Sequence, residues 1–291
     1  METKFLFSLT FLSQIILISF YFPRKLANGI QYLMETYPPS KFPKLYPKSI
    51  DYLKIKQRNY KIYNLIILVL GLVILGIVFI NFPEDSQRQR WEQAIVLAFF
   101  MLQFLPLLIL EISSFNIFRH MRKTDSRTTR KAVLQPRRFF DFISPILLGV
   151  VIFVYVTFVV FIFYFKRFDY PWFGGNLNIV IITGANLFFS GIAAWNMFGK
   201  KLDPYQSHED RRRQISLVVK QLAFISIGMT LYGIFSILAH AFEIRYLGSI
   251  FMSIYYQLIA VVSFQAIQIK DINFEVYKEE PQKPEEISII N

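Results

Sequence analysis

Apolar residues gather into seven runs of about 20, separated by short polar segments rich in Lys and Arg. At 1.5 Å of rise per residue, a helix of that length crosses a hydrocarbon core of about 30 Å. Six runs read as clear spans: 62–82, 94–114, 143–165, 177–199, 215–240 and 246–267. A seventh, 5–22, carries Gln14 near its middle and three serines, which weaken its insertion. Pro23-Arg24-Lys25 follows it directly with no small-residue cleavage site, so the expectation is a retained span, with a surface-lying helix as the alternative. The pattern predicts an all-α polytopic membrane bundle over residues 1–270 and a polar tail over 271–291.

The span 177–199 orders the reading. Thr183, Asn186, Ser190 and Ala193 recur at three- and four-residue steps, so a helix stacks them on one side. Similar stripes run along the last two spans: Ser226, Thr230 and Gly233, then Ser249, Ser253, Tyr256 or Gln257, Ala260 and Ser263. These three helices are expected to form the inner wall of the bundle. Pro106 is expected to kink the span 94–114 and to free a carbonyl near Leu102 or Gln103 that needs a partner from a neighbouring helix. Gly71 and Gly76 are five apart, so they make no GxxxG face.

Between the spans, residues 26–61 read as polar, with Pro38, Pro39, Pro43 and Pro47 holding an extended ribbon. That ribbon is either a docking ligand for an SH3-like partner or, the favoured expectation, a strip laid over the bundle's own face with its aromatics buried. Ser49 resembles the N-cap of a helix over 50–63 that leads into the membrane. Residues 83–93 read as a polar turn, and 200–214 as a charged loop containing His208-Glu209-Asp210.

Composition agrees with the pattern: 54 % of the 291 residues are hydrophobic and 18 % charged, against about 25 % charged in an ordinary soluble domain. Cysteine is absent, which excludes disulfides, thiolate metal sites and a cysteine nucleophile. The net charge of +12 sits at span ends and is read as facing anionic lipid headgroups, not nucleic acid. Alternate polar segments carry 25 against 6 Lys and Arg, which orients the C-terminus towards the cytoplasm and the N-terminus outside, in a plasma membrane.

No P-loop, G-x-S-x-G elbow or paired-histidine zinc motif is present, so neither catalysis nor a cofactor or metal is expected. The final span also lacks the Lys that a retinal Schiff base requires. Two constellations remain. Thr183, Asn186, Ser190, Thr230 and Gln257 are the candidate lining of a polar cavity that binds or moves a small solute or ion, the two amides converging on it. Glu111 and Lys220, at similar depth, are a candidate intramembrane charge pair. The competing reading is a membrane scaffold that recruits a cytoplasmic protein or anionic lipid through its basic loops.

Overall fold

The computed structural model describes residues 2–81, 89–124, 138–166, 175–199, 201–244, 247–265 and 272–278. Of these, 87 % are helical and none is in a strand. The helices are α1 (Glu2–Ile16), α2 (Phe22–Thr36), α3 (Ile50–Ile80), α4 (Gln89–Thr124), α5 (Pro145–Lys166), α6 (Asn176–Phe198), α7 (His208–Ala241) and α8 (Gly248–Gln265). A π turn, Leu17–Tyr21, joins α1 to α2 without a break. Six helices, counting α1 and α2 as one, are long and apolar enough to cross a membrane, and α8 is a shorter apolar helix. Leu65, Ile66, Val69 and Val73 of α3 lie on the outside of the bundle, an apolar surface suited to lipid and not to water. The architecture is compatible with a multi-pass integral membrane protein.

Two groups of helices share the structure. α1, α2, α3, α4 and α8 enclose one core that includes Phe11, Ile15, Phe22, Phe99, Tyr256 and Phe264. α8 is fixed there by stacked rings, Phe100 on Tyr256 at 4.0 Å and Phe22 on Phe264 at 4.5 Å. α5, α6 and α7 form the second group around two smaller clusters. α7 packs against α8 and connects the groups.

This reverses the expected roles of two segments. The N-terminal segment, marginal by composition, is the most enclosed: 39 % of its most apolar stretch is buried, against 6 % for α6. Gln14 and Ser19 are buried in protein, Ser13 bonds to Gln257, and Ser8 donates to the Lys4 carbonyl of its own helix. α6, expected in the inner wall, lies at the periphery. Its polar stripe needs only one seam with α7 and one contact from α5, and Ser190 is exposed.

Three local expectations also change. The chain continues as helix to Thr36 and does not leave it at residue 22. Pro23 has no N–H and its ring would strike the carbonyl four residues back; the π turn relieves this, with the Phe22 N–H donating to Leu17 O, five residues back. The proline-rich strip is a run of tight turns and not an extended ribbon: Phe42 N–H donates to Pro38 O, and Pro43–Leu45 is a single 3₁₀ turn. Its aromatics nonetheless pack on the protein's own face, Phe42 buried and Tyr37 and Tyr46 half-buried. Tyr37 and Phe42 pack with Phe274 and Tyr277 from the segment read as a polar tail. His208-Glu209-Asp210 is the first turn of α7, capped by Ser207, whose hydroxyl oxygen accepts from Asp210 N–H at 3.0 Å. Within the expected turn 83–93, residues 89–93 are helical, and 82–88 lie outside the described residues. Ser49 caps α3 as expected, accepting from Tyr52 N–H.

The two glycines of α3 differ in what surrounds them. A methyl group at Gly71 would lie 2.4 Å from Phe99 Cζ and 3.1 Å from Ile15, whereas at Gly76 it would meet nothing within 4 Å. Gly71→Ala should therefore destabilise the protein by about 1–3 kcal/mol through overpacking. Gly76→Ala should be neutral or slightly stabilising, because Ala is the better helix former. Thermal unfolding of the two variants in one detergent checks the difference.

Candidate functional site

Of the residues expected to line a polar cavity, Thr183, Asn186 and Gln257 bond to neighbours in separate helix seams, Thr230 bonds within its own helix and Ser190 is exposed. Thr183 Oγ1 lies 2.6 Å from the Tyr155 hydroxyl on α5. Asn186 Oδ1 accepts from Ser226 Oγ at 2.5 Å, joining α6 to α7. Thr230 donates to the Ser226 carbonyl one turn back in α7. Gln257 belongs to another seam, where its Oε1 accepts from Ser13 at 3.0 Å and its Nε2 donates to the Thr10 carbonyl at 3.2 Å, joining α8 to α1. Asn186 and Gln257 do not converge. Glu111 and Lys220 are also apart: both are exposed, and no ion pair joins them.

The most enclosed polar cluster involves a residue the candidate set did not contain. Gln14 is fully buried and its Nε2 donates to Gln103 Oε1 at 3.1 Å. Gln103 Nε2 in turn donates to Ser19 Oγ at 2.8 Å, within the π turn. Gln14 Oε1 is buried without a partner. α1–α2 is irregular here through its π turn, while α4 runs on as α-helix with Pro106 inside it, three residues beyond Gln103. The signal was available in the sequence: two isolated amides in apolar runs, one beside a proline, each requiring a partner.

Near the other end of α4, Glu92 is 3 % exposed and its Oε2 accepts from Ser249 Oγ at 3.3 Å. Ser249 is the second residue of α8, so the carboxylate sits where the helix dipole is positive. Glu92 Oε1 has no partner. Among the described residues no three His, Asp or Glu side chains gather as metal ligands.

The end of the bundle formed by the N-termini of α3 and α7 and the C-termini of α2 and α4 is the basic one. Lys54, Arg58 and Lys61 are exposed at steps of four and three along α3, which places them on one helical face. Arg24 and Lys25 on α2, and Arg119, Arg122 and Lys123 on α4, are exposed as well. Residues 125–137 of the basic loop 115–142 lie outside the described residues. Below these cations the chain is tied down. Buried Asp203 accepts from Tyr205 N–H at 2.8 Å and from the Tyr277 hydroxyl, while Asp210 accepts from Asn273 N–H at 3.2 Å. Burial, and then the Asp203 carboxylate, push the Tyr277 phenol well above its usual range, so it stays a donor at physiological pH.

Gln103→Leu strands two buried polar groups, Gln14 and Ser19, and should cost about 1–3 kcal/mol. Ser226→Ala removes one interhelical bond, of a class worth about 0.6 kcal/mol on average, and should cost less; denaturation of both in detergent tests the ranking. Tyr277→Phe should free the segment around Phe274 and speed tryptic cleavage after Lys278 about tenfold or more, the bond to a charged acceptor being worth about 1.5–3 kcal/mol. Because the folded-state pKa of Tyr277 is raised, its contribution is complete below the unfolded value of about 10 and is lost only as pH rises through the higher folded value. Wild-type cleavage relative to an unfolded control should therefore stay flat from about pH 7 to pH 9.5. Compared with known proteins, the chain matches no family model, no curated protein and no solved structure.

Proposed function

We propose that this protein is a non-catalytic membrane scaffold whose basic end rests against anionic lipid headgroups. The observation that carries this reading is the cationic face of Lys54, Arg58 and Lys61 on α3, exposed beside Arg24, Lys25 and the cations of α4. Counting the same charges by loop orients this end to the cytoplasm of a plasma membrane, where acidic lipids supply the complementary surface. The polar side chains of the C-terminal helices support the reading from the other side. Asn186 Oδ1 and both ends of the Gln257 amide bond to neighbouring helices, which suits a static bundle.

The solute- or ion-binding reading has one observation in its favour. It is the unpartnered Gln14 Oε1, buried beside the π turn that interrupts regular helix. On that reading the site is the Gln14–Gln103 pair and not the C-terminal stripe.

The full chain, purified in mild detergent and titrated with acidic and zwitterionic phospholipids of identical acyl chains, separates the two. Each cation near an acidic surface contributes about 1 kcal/mol. The triple variant Lys54→Gln, Arg58→Gln, Lys61→Gln should therefore lose acidic-lipid affinity by up to about 100-fold at low salt while its zwitterionic binding is unchanged. An unaltered acidic preference overturns the scaffold reading. Solute flux in reconstituted vesicles that Gln14→Leu abolishes would install the second.

A further inference from the structure

At the end opposite the basic face, α1 and α3 run antiparallel and separate. They touch at Gly71, where Ile15 and Phe99 press so close that a Cβ would strike them. Five residues further along α3, the space over Gly76 is open. Between these points lies a groove of about 330 Å³, walled by Phe5, Leu9 and Leu12 of α1 and by Leu72, Gly76 and Phe79 of α3. The wall positions repeat at steps of three and four on each helix, so two helical faces line the groove over about 10 Å of length. Gly71 closes its deep end, and the missing side chain of Gly76 makes its floor.

The lining dictates what can enter. Ser8 is its one polar residue, and the Ser8 hydroxyl already donates to the Lys4 carbonyl at 2.8 Å. An occupant therefore meets no unsatisfied donor inside, so the portion that enters must be hydrocarbon. The mouth differs in character: the Lys4 ammonium lies over the Phe79 ring, 4.3 Å from its centroid. A cation held at the rim of an apolar cleft complements a molecule with an alkyl chain and an acidic head.

We propose that this groove seats one acyl chain of a glycerophospholipid whose acidic headgroup meets Lys4. The site takes the bundle to be membrane-embedded, as the scaffold reading does, but it is separate from the basic end and uses none of its cations. Chain occupancy is set by Gly76 and headgroup choice by Lys4.

Native mass spectrometry of the full chain, released from detergent containing phosphatidylglycerol or phosphatidylcholine of identical chains, tests this. Wild type should retain one tightly held lipid with a preference for phosphatidylglycerol. Gly76→Leu, whose side chain enters open space, should abolish that retained lipid with the thermal midpoint unchanged. Lys4→Gln should keep the chain bound but reduce the phosphatidylglycerol preference about fivefold, the effect of one surface cation. The triple variant at Lys54, Arg58 and Lys61 should leave this lipid in place, so failure of the scaffold reading and failure of this site are seen separately. Retention of the lipid by Gly76→Leu, or an unchanged headgroup preference in Lys4→Gln, overturns the proposal. So does a dimer in wild type that Gly76→Leu dissociates, which would assign the groove to a second copy of the chain.

Discussion

A polar side chain inside an apolar bundle needs a partner, because neither lipid nor hydrocarbon side chains can replace the water it has left. In this protein most helix seams contain such a contact, while α1–α3 and α5–α7 pack through apolar side chains. Tyr155 meets Thr183 between α5 and α6, Ser226 meets Asn186 between α6 and α7, and Gln221 meets Ser263 between α7 and α8. Gln257 meets Ser13 between α8 and α1, Gln14 meets Gln103 between α1 and α4, and Tyr52 meets Ser113 between α3 and α4. Gln57 closes the seam between α3 and α2 by donating to the Ala27 carbonyl. Each bond is individually modest, but each has a fixed register along two helices. A helix that slid by one residue would strand both members, so the pairs select one arrangement among the many that greasy surfaces would allow.

The same constraint explains why the N-terminal segment is the pillar of the larger helix group. A span carrying Gln14, Ser13 and Ser19 is costly on its own in lipid, and that cost is removed only by surrounding it. Phe7, Phe11, Ile15 and Phe22 bury one face against α3, α4 and α8, and the amides of Gln103 and Gln257 meet the polar groups. The π turn re-aims the chain before Pro23, which lets Ser19 face Gln103 while the helix continues past the proline. Features that lower the span's hydropathy are therefore the ones that give it specific neighbours.

Hydropathy made the nature of the helices legible, and the cap signal at Ser49 was legible too. What the sequence did not reveal is which helix is central. A stripe of Thr183, Asn186, Ser190 and Ala193 looks the same whether it faces a cavity or one neighbouring helix, because periodicity identifies a face and not its partner. Ser207 with Asp210 is a cap signal inside a charged segment, and its consequence is that α7 begins about two turns before the apolar run. Gln103 was overlooked for a different reason: its pairing with Gln14 links positions 89 residues apart, and no local pattern encodes that distance.

The second helix group shows what pairing cannot supply. α5 and α6 pack with α7 and with each other, while their outer faces, Phe153, Val160, Val180 and Leu187 among them, are exposed. α7 accommodates neighbours on two sides through two glycines. A Cβ at Gly233 would press on Phe158 at 3.3 Å, and one at Gly228 would press on Tyr255 at 3.1 Å. Five residues apart on a helix, these positions point in different directions, so one serves the α5–α6 side and the other serves α8. α7 is thus the joint between a group enclosed by its own side chains and a group whose apolar outer surface the rest of the chain leaves uncovered. The packing that α5 and α6 lack from their own chain is of the kind acyl chains supply, whereas the five-helix group around Gln14 is held by its own side chains.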